Sequence, residues 1–156
     1  MQTVLDQLDY ISQMDHSGML KAIEQLPQHL VEMSEQMTHF SLPSSFPLPQ
    51  KILLLATGGG SGFIAALIST YFQQIPVLTS SSAHIPEWVD SQTLAFVVSV
   101  SGQTEEILEG YHTLLERKAS VICLTQGGLL VKLSQTHQHP CVLLPYRPIQ
   151  ARSVIG

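Results

Sequence analysis

Apolar residues recur at helical spacing from Leu5 through Leu8, Ile11 and Met14, with Asp6, Gln7, Asp9 and Gln13 filling the other face, which predicts an amphipathic helix. Asp15 to Gly18 punctuates the pattern. Leu20, Ile23 and Leu26 mark a second helix, expected to end before Pro27 because a residue preceding proline is pushed out of the helical region. Pro27 suits the first turn of a third helix carrying Leu30, Val31, Met33 and Met37. Ser41 to Pro49 contains Pro43, Pro47 and Pro49, which forbid regular structure, so this segment reads as a connector.

At Lys51 the texture changes to short apolar runs alternating with helical patterns, the signature of βαβ units and a parallel sheet. Strands are expected at Ile52 to Ala56, Val77 to Thr79, Leu94 to Val100, Val121 to Thr125 and Val142 to Leu144. Their near-continuous Val, Ile, Leu and Phe suits strands covered on both faces. Helices are expected near Gly62 to Gln74, Thr104 to Arg117 and Leu129 to Gln135. The predicted fold class is α/β: a three-layer αβα sandwich of flavodoxin-like type, with a five-stranded parallel sheet and a helical extension ahead of it. Residues 1–40 form the extension and residues 50–156 the α/β domain.

Composition narrows the partners. Only 19 of 156 residues are charged (7 Lys+Arg, 12 Asp+Glu) while 44% are hydrophobic, and the mean hydropathy is +0.20, which disfavours disorder. A formal charge of -5 and a pI near 5.7 leave no basic stripe for a nucleic acid backbone or an anionic membrane surface, so any bound anion should be small. No segment approaches the eighteen or so consecutive apolar residues of a transmembrane helix. The start has neither a basic n-region nor a small-residue cleavage site, so export is not expected. Cys123 and Cys141 lie in apolar runs without zinc-ligand spacing and read as reduced core thiols of a cytoplasmic protein.

Two strand-to-helix junctions could carry chemistry. KILLLAT runs into Gly58, Gly59, Gly60, Ser61 and Gly62 and then an apolar helix, placing the glycines at the carboxyl end of a parallel strand, where ligands of open α/β sheets bind. Glycine permits close backbone approach, and a helix N-terminus offers unpaired N–H groups to an anion. No lysine completes a Walker A loop and Phe63 replaces the third glycine of a dinucleotide fingerprint. A tight turn needing glycine for geometry alone remains open at this point. The second junction brings Ser99, Ser101, Gly102, Gln103 and Thr104 to the start of the helix EEILEGYHTLLER. Hydroxyls and main-chain N–H groups at a helix start suit a phosphomonoester dianion when no arginine or metal is near. Thr104 as a simple N-cap, with the serines as turn residues, is the alternative.

SVSGQTEE resembles the S-x-S-G-[NQ]-T-x-E loop of sugar isomerase (SIS) domains, and GGGSG resembles the glycine-rich turn after their first strand. The likeness extends to the bifunctional phosphoglucose/phosphomannose isomerases. DHSGMLKAIEQLPQHL is similar to their helical lead-in, AHIPEWVDSQTLAFVVSVSGQTEE follows the region around their phosphate loop, and QARSVIG resembles their Q-P-R-A-A-x-G stretch. The resemblance implies that Ser99, Ser101 and Thr104, with Gly102 and Gln103 in the same loop, hold a sugar phosphate. It also implies that Gly59, Gly60 and Ser61 line the sugar and that Arg152 stabilises charge on an enediolate. No metal or other cofactor is implied. Ala151 stands where the family usually has proline. The family's general base, ring-opening histidine and a lysine lie in a second SIS domain, beyond a single, C-terminally short one ending at Gly156. A sugar-phosphate-binding regulatory module without a base is the alternative function, and a scaffold acting through its apolar helices a third.

Glu87, in HIPEWVD, is the free carboxylate that could act as a local base, but it precedes the phosphate-loop strand and is expected at the far end of the sheet. His137 and His139 in THQHP lack a third metal ligand and read as surface loop; His84 and His112 read as exposed. Trp88 reads as packing over the sheet edge, with an aromatic lid as the alternative, and Arg147 as a surface residue. Met14, Met19, Met33 and Met37 read as core or interface filler. With no helix following the last strand, association is expected: a homodimer, or pairing with a second SIS domain.

Overall fold

The computed structural model describes residues 6–44, 46–57 and 61–145, and of residues 61–65 the backbone alone. The described residues fall into two compact units, 6–40 and 41–145.

The first unit contains helices α1 (Leu8–Met14), α2 (Met19–Glu24) and α3 (Leu26–Thr38). Leu5, the expected start of the first helix, lies outside the described residues. Asp15 organises the start of α2: its carboxylate accepts the N–H groups of Met19 and Leu20, each at 2.7 Å. Those two bonds hold its carboxyl below the usual range. α3 carries proline in its first turn as expected. Of the methionines, Met33 is buried, whereas Met14 and Met37 are exposed and do not fill the unit's core.

The second unit is a five-stranded parallel sheet of order β2-β1-β3-β4-β5, with β1 at Lys51–Ala56, β2 at Val77–Ser80, β3 at Thr93–Val98, β4 at Ser120–Thr125 and β5 at Cys141–Leu143. Helices α4 (Ser61–Tyr71), α5 (Glu105–Glu116) and α6 (Gly128–Thr136) connect them. The order reverses between β1 and β3, the flavodoxin-like arrangement. Because the crossovers run outward in opposite directions from that point, right-handed connections place α4 on one face and α5 and α6 on the other. Every residue from Ile52 to Ala56 is buried, as a strand covered on both faces requires. Leu53, Leu55, Ala95, Val97, Val121 and Cys123 form one face of the sheet and pack with Ile107, Tyr111 and Leu114 of α5 and Leu130 of α6. Each fully buried aliphatic side chain there stabilises the fold by about 1.5–3 kcal/mol.

Two boundaries differ from expectation in a way that matters for function. β3 stops at Val98 rather than Val100, because the chain turns at Ser99 to form the loop described below. α4 ends at Tyr71 rather than Gln74, leaving a turn ahead of β2. Among the described residues no helix is long and apolar enough to cross a membrane.

Candidate functional site

β1 and β3 end side by side, with Ala56 paired to Val98, so the glycine run and the hydroxyl loop leave from neighbouring strand ends at the carboxyl edge of the sheet. This is the crevice that open α/β sheets use for ligands. Gly58, Gly59, Gly60, Arg147 and Arg152 lie outside the described residues; Ser61 opens α4, its side chain likewise undescribed.

The loop from Ser99 to Thr104 is built by its own hydrogen bonds. The Ser99 N–H donates to the Leu124 carbonyl at 3.1 Å, and the Gly102 N–H donates back to the Ser99 carbonyl at 3.0 Å. The Ser99 and Thr104 hydroxyls are 2.8 Å apart. Ser99 is buried, Thr104 half-buried, and Ser101 and Gln103 exposed. Thr104 occupies the N-cap position of α5 in extended conformation, yet its side chain makes no cap bond. The simple N-cap alternative therefore fails: its hydroxyl goes to Ser99 instead. Whichever of the two donates, one O–H proton remains for an outside acceptor. The Ser101 hydroxyl accepts the Gln103 N–H at 3.2 Å, leaving its own proton to donate. With the unpaired N–H groups of the first turn of α5, the loop presents a cluster of donors suited to a dianion. Glu105 and Glu106 are exposed on that turn.

A segment not singled out from the sequence lies directly against this loop. Thr125, at the end of β4, is fully buried, and its hydroxyl donates to the Gly127 carbonyl at 2.9 Å. The Gln126 N–H donates to the Val100 carbonyl and the Leu130 N–H to the Gly102 carbonyl, both at 3.0 Å. The signal was present in TQGG, two glycines at a strand-to-helix junction, the same pattern that follows β1.

The opposite edge of the sheet carries Pro86 to Asp90 of HIPEWVD, whereas the His84 carbonyl accepts the hydroxyl of Ser80 at the end of β2. Lys51, the first residue of β1, pairs with Asp90 at 2.7 Å, donates to the Trp88 carbonyl at 3.0 Å and stands 5.9 Å over the Trp88 ring. Trp88 is thereby placed at the amino end beside Lys51, still 40% exposed, and is no lid over the loop. Glu87 is exposed there, away from the hydroxyl cluster. The bond from Lys51, then that from the Gln92 N–H, keeps the Asp90 carboxyl below the ordinary range.

The histidines separate. His84, His112 and His137 are exposed, but His139 is half-buried, which corrects its reading as surface loop. Its Nδ1 is 2.9 Å from the hydroxyl of Tyr111, a fully buried residue 28 positions earlier. Among the described residues no group of three or more His, Cys, Asp or Glu is arranged to hold a metal ion. Cys123 is buried and Cys141 half-buried, paired in register across β4 and β5 with both thiols free. Burial, then the neighbouring Cys141, pushes the Cys123 thiol up to about 12.

The chain is similar in sequence to a bifunctional phosphoglucose/phosphomannose isomerase of Thermoplasma acidophilum, 36% identical over 81 residues, covering 52% of this chain and 26% of the relative. A protein of the same description from Caldicellulosiruptor bescii is 26% identical over 140 residues, covering 88% of this chain and 41% of the relative. Among solved structures, phosphoheptose isomerase of Neisseria gonorrhoeae superposes with a TM-score of 0.55 at 16% identity, covering 97% of this chain and 90% of its own. In sequence the chain is similar to these isomerases, and in fold to a phosphosugar isomerase of the sugar isomerase (SIS) type. No protein-family model matches the chain. The Vibrio vulnificus NanR protein, determined in complex with ManNAc-6P, shares this fold with a TM-score of 0.52 at 18% identity, covering 85% of this chain and 50% of that one. The chain spans less than half the length of either curated relative.

Proposed function

We propose that this SIS domain binds a hexose 6-phosphate in the manner of the phosphoglucose/phosphomannose isomerases. The phosphate lies among Ser99, Ser101, Thr104 and the first-turn N–H groups of α5, with Gly59, Gly60 and Ser61 lining the sugar. The observation that carries the reading is the Ser99–Thr104 hydroxyl pair, 2.8 Å apart beside the exposed Ser101 at the carboxyl edge of a parallel sheet. Hydrogen bonds to a charged acceptor stabilise by about 1.5–3 kcal/mol each, so a few suffice for specific binding. In a complete enzyme the reaction is aldose-ketose isomerisation. The ring opens, a base takes the proton from C2 to leave a cis-enediolate, and a proton is returned at C1. Arg152, by resemblance, balances the enediolate charge.

A second reading is supported by the placement of Glu87 at the amino edge: a sugar-phosphate-binding module that performs no turnover. Titration calorimetry with fructose 6-phosphate, run beside an assay for glucose 6-phosphate formation, distinguishes them. Binding is expected without turnover by this chain alone. Turnover would overturn the view that the base lies elsewhere, and absence of binding would overturn the site. A cytoplasmic location and self-association are part of the proposal. Exposed Leu67 of α4, Tyr71 at its end, Phe72 just after it and Leu78 of β2 support the latter.

A further inference from the structure

We propose that the β4–α6 turn, Thr125 to Gly128, holds the hydroxyl loop in its anion-accepting shape, with Thr125 and Gly128 as positioning residues for the phosphate; the link to phosphate rests on the reading just given. Two backbones meet here with no side chain between them. Gly102 and Gly128 both adopt left-handed conformations, with φ of 63° and 75°. A Cβ added to Gly102 would overlap the Gly127 carbonyl oxygen, and one added to Gly128 would overlap that of Ser101. Glycine is therefore required at both positions for two independent reasons, conformation and approach.

The consequence is electrostatic. A loop that accepts an anion must turn its own carbonyl oxygens away. Here the Val100 carbonyl is taken by the Gln126 N–H, the Gly102 carbonyl by the Leu130 N–H at the start of α6, and the Ser99 carbonyl by the Gly102 N–H. Two of those three donors come from the turn and the helix behind it. With the oxygens held inward, hydroxyls and N–H groups are left to face a ligand, and no reorganisation is needed when it arrives. Thr125 sets the turn itself. Its hydroxyl donates to the Gly127 carbonyl at 2.9 Å and accepts the Gly127 N–H at 3.2 Å, closing the chain into the position that Gly102 packs against. Valine there would keep the shape and lose both bonds; serine would keep both bonds.

The test compares Thr125→Val, Thr125→Ser and Ser134→Ala. Ser134 is a fully buried hydroxyl residue of α6 that bonds the Val131 carbonyl at 2.8 Å within the helix, so its loss reports on stability alone. Each variant is titrated with fructose 6-phosphate, and amide hydrogen exchange is followed in peptides spanning 99–104 without ligand. Thr125→Val is expected to weaken binding by about tenfold or more and to speed exchange at 99–104. Thr125→Ser is expected to stay within about twofold of the parent, and Ser134→Ala to lower the thermal midpoint while keeping the parent's affinity. Parent-like affinity or parent-like exchange in Thr125→Val overturns the inference. Should the parent itself not bind fructose 6-phosphate, the functional reading falls, and exchange at 99–104 alone then decides whether the turn orders the loop. Should Thr125→Val fail to fold, the parent still answers: fructose 6-phosphate is expected to protect the 126–130 amides together with the 99–104 amides. Protection confined to 99–104 overturns the coupling.

Discussion

Ser101 and Thr104 differ in what they give up to a ligand. Ser101 is exposed and its hydroxyl accepts the Gln103 N–H, whereas Thr104 is tied to the buried Ser99. Replacing both with alanine removes two donors to a dianion, each contributing about 1.5–3 kcal/mol. Affinity for fructose 6-phosphate is expected to fall by roughly two orders of magnitude or more in titration calorimetry. Undiminished affinity would place the phosphate elsewhere. These residues were legible in the sequence because their spacing at a strand-to-helix junction is itself the chemical signal. Thr125 was not. TQGG marks a strand-to-helix junction, but the part Thr125 plays in it depends on Gly102 lying against it, a contact between residues more than twenty positions apart.

α5 spans the domain from one edge to the other, with the hydroxyl loop at its start and Tyr111 midway. The Tyr111 hydroxyl lies between the Leu133 carbonyl of α6, at 3.3 Å, and His139 ahead of β5. Burial, and then the charge of nearby His137, pushes the His139 imidazole below the ordinary histidine value of 6.5. The sign follows from which state binds the proton more readily. The folded state favours neutral His139, so the unfolded chain takes up the proton first as the pH falls. The stabilising contribution is complete above about pH 6.5 and is lost as the pH drops through the lower folded value. Urea midpoints at pH 5.5 and 7.5 should therefore differ, with the acid sample less stable, and His139→Gln should narrow the gap. Identical midpoints would mean that His139 protonates freely within the fold. At this scale the sequence showed the five strands and their connecting helices, since continuous apolar runs mark strands covered on both faces. It did not show that THQHP folds back on α5, because two histidines among polar residues look the same whether or not a buried tyrosine waits beneath them.

Alternating strands and helices with handed crossovers leave a handful of parallel topologies; the flavodoxin-like order expected among them is the one the sheet has. Where the apolar surface of the whole molecule is covered is a different matter. Leu67, Tyr71, Phe72 and Leu78 remain exposed in the described structure, and periodicity marks such residues as apolar without saying what meets them. Sedimentation equilibrium at micromolar concentration is expected to return a dimer. A monomer at that concentration would remove self-association from the proposal. The two cysteines carry a practical consequence. With Cys123 sealed in the sheet and its thiol pushed up to about 12, and Cys141 likewise shifted upward by burial, neither offers much thiolate at neutral pH. A maleimide fluorophore would then choose a cysteine newly installed at exposed Gln103, turning the parent chain, with no thiol removed, into an optical reporter of sugar-phosphate arrival.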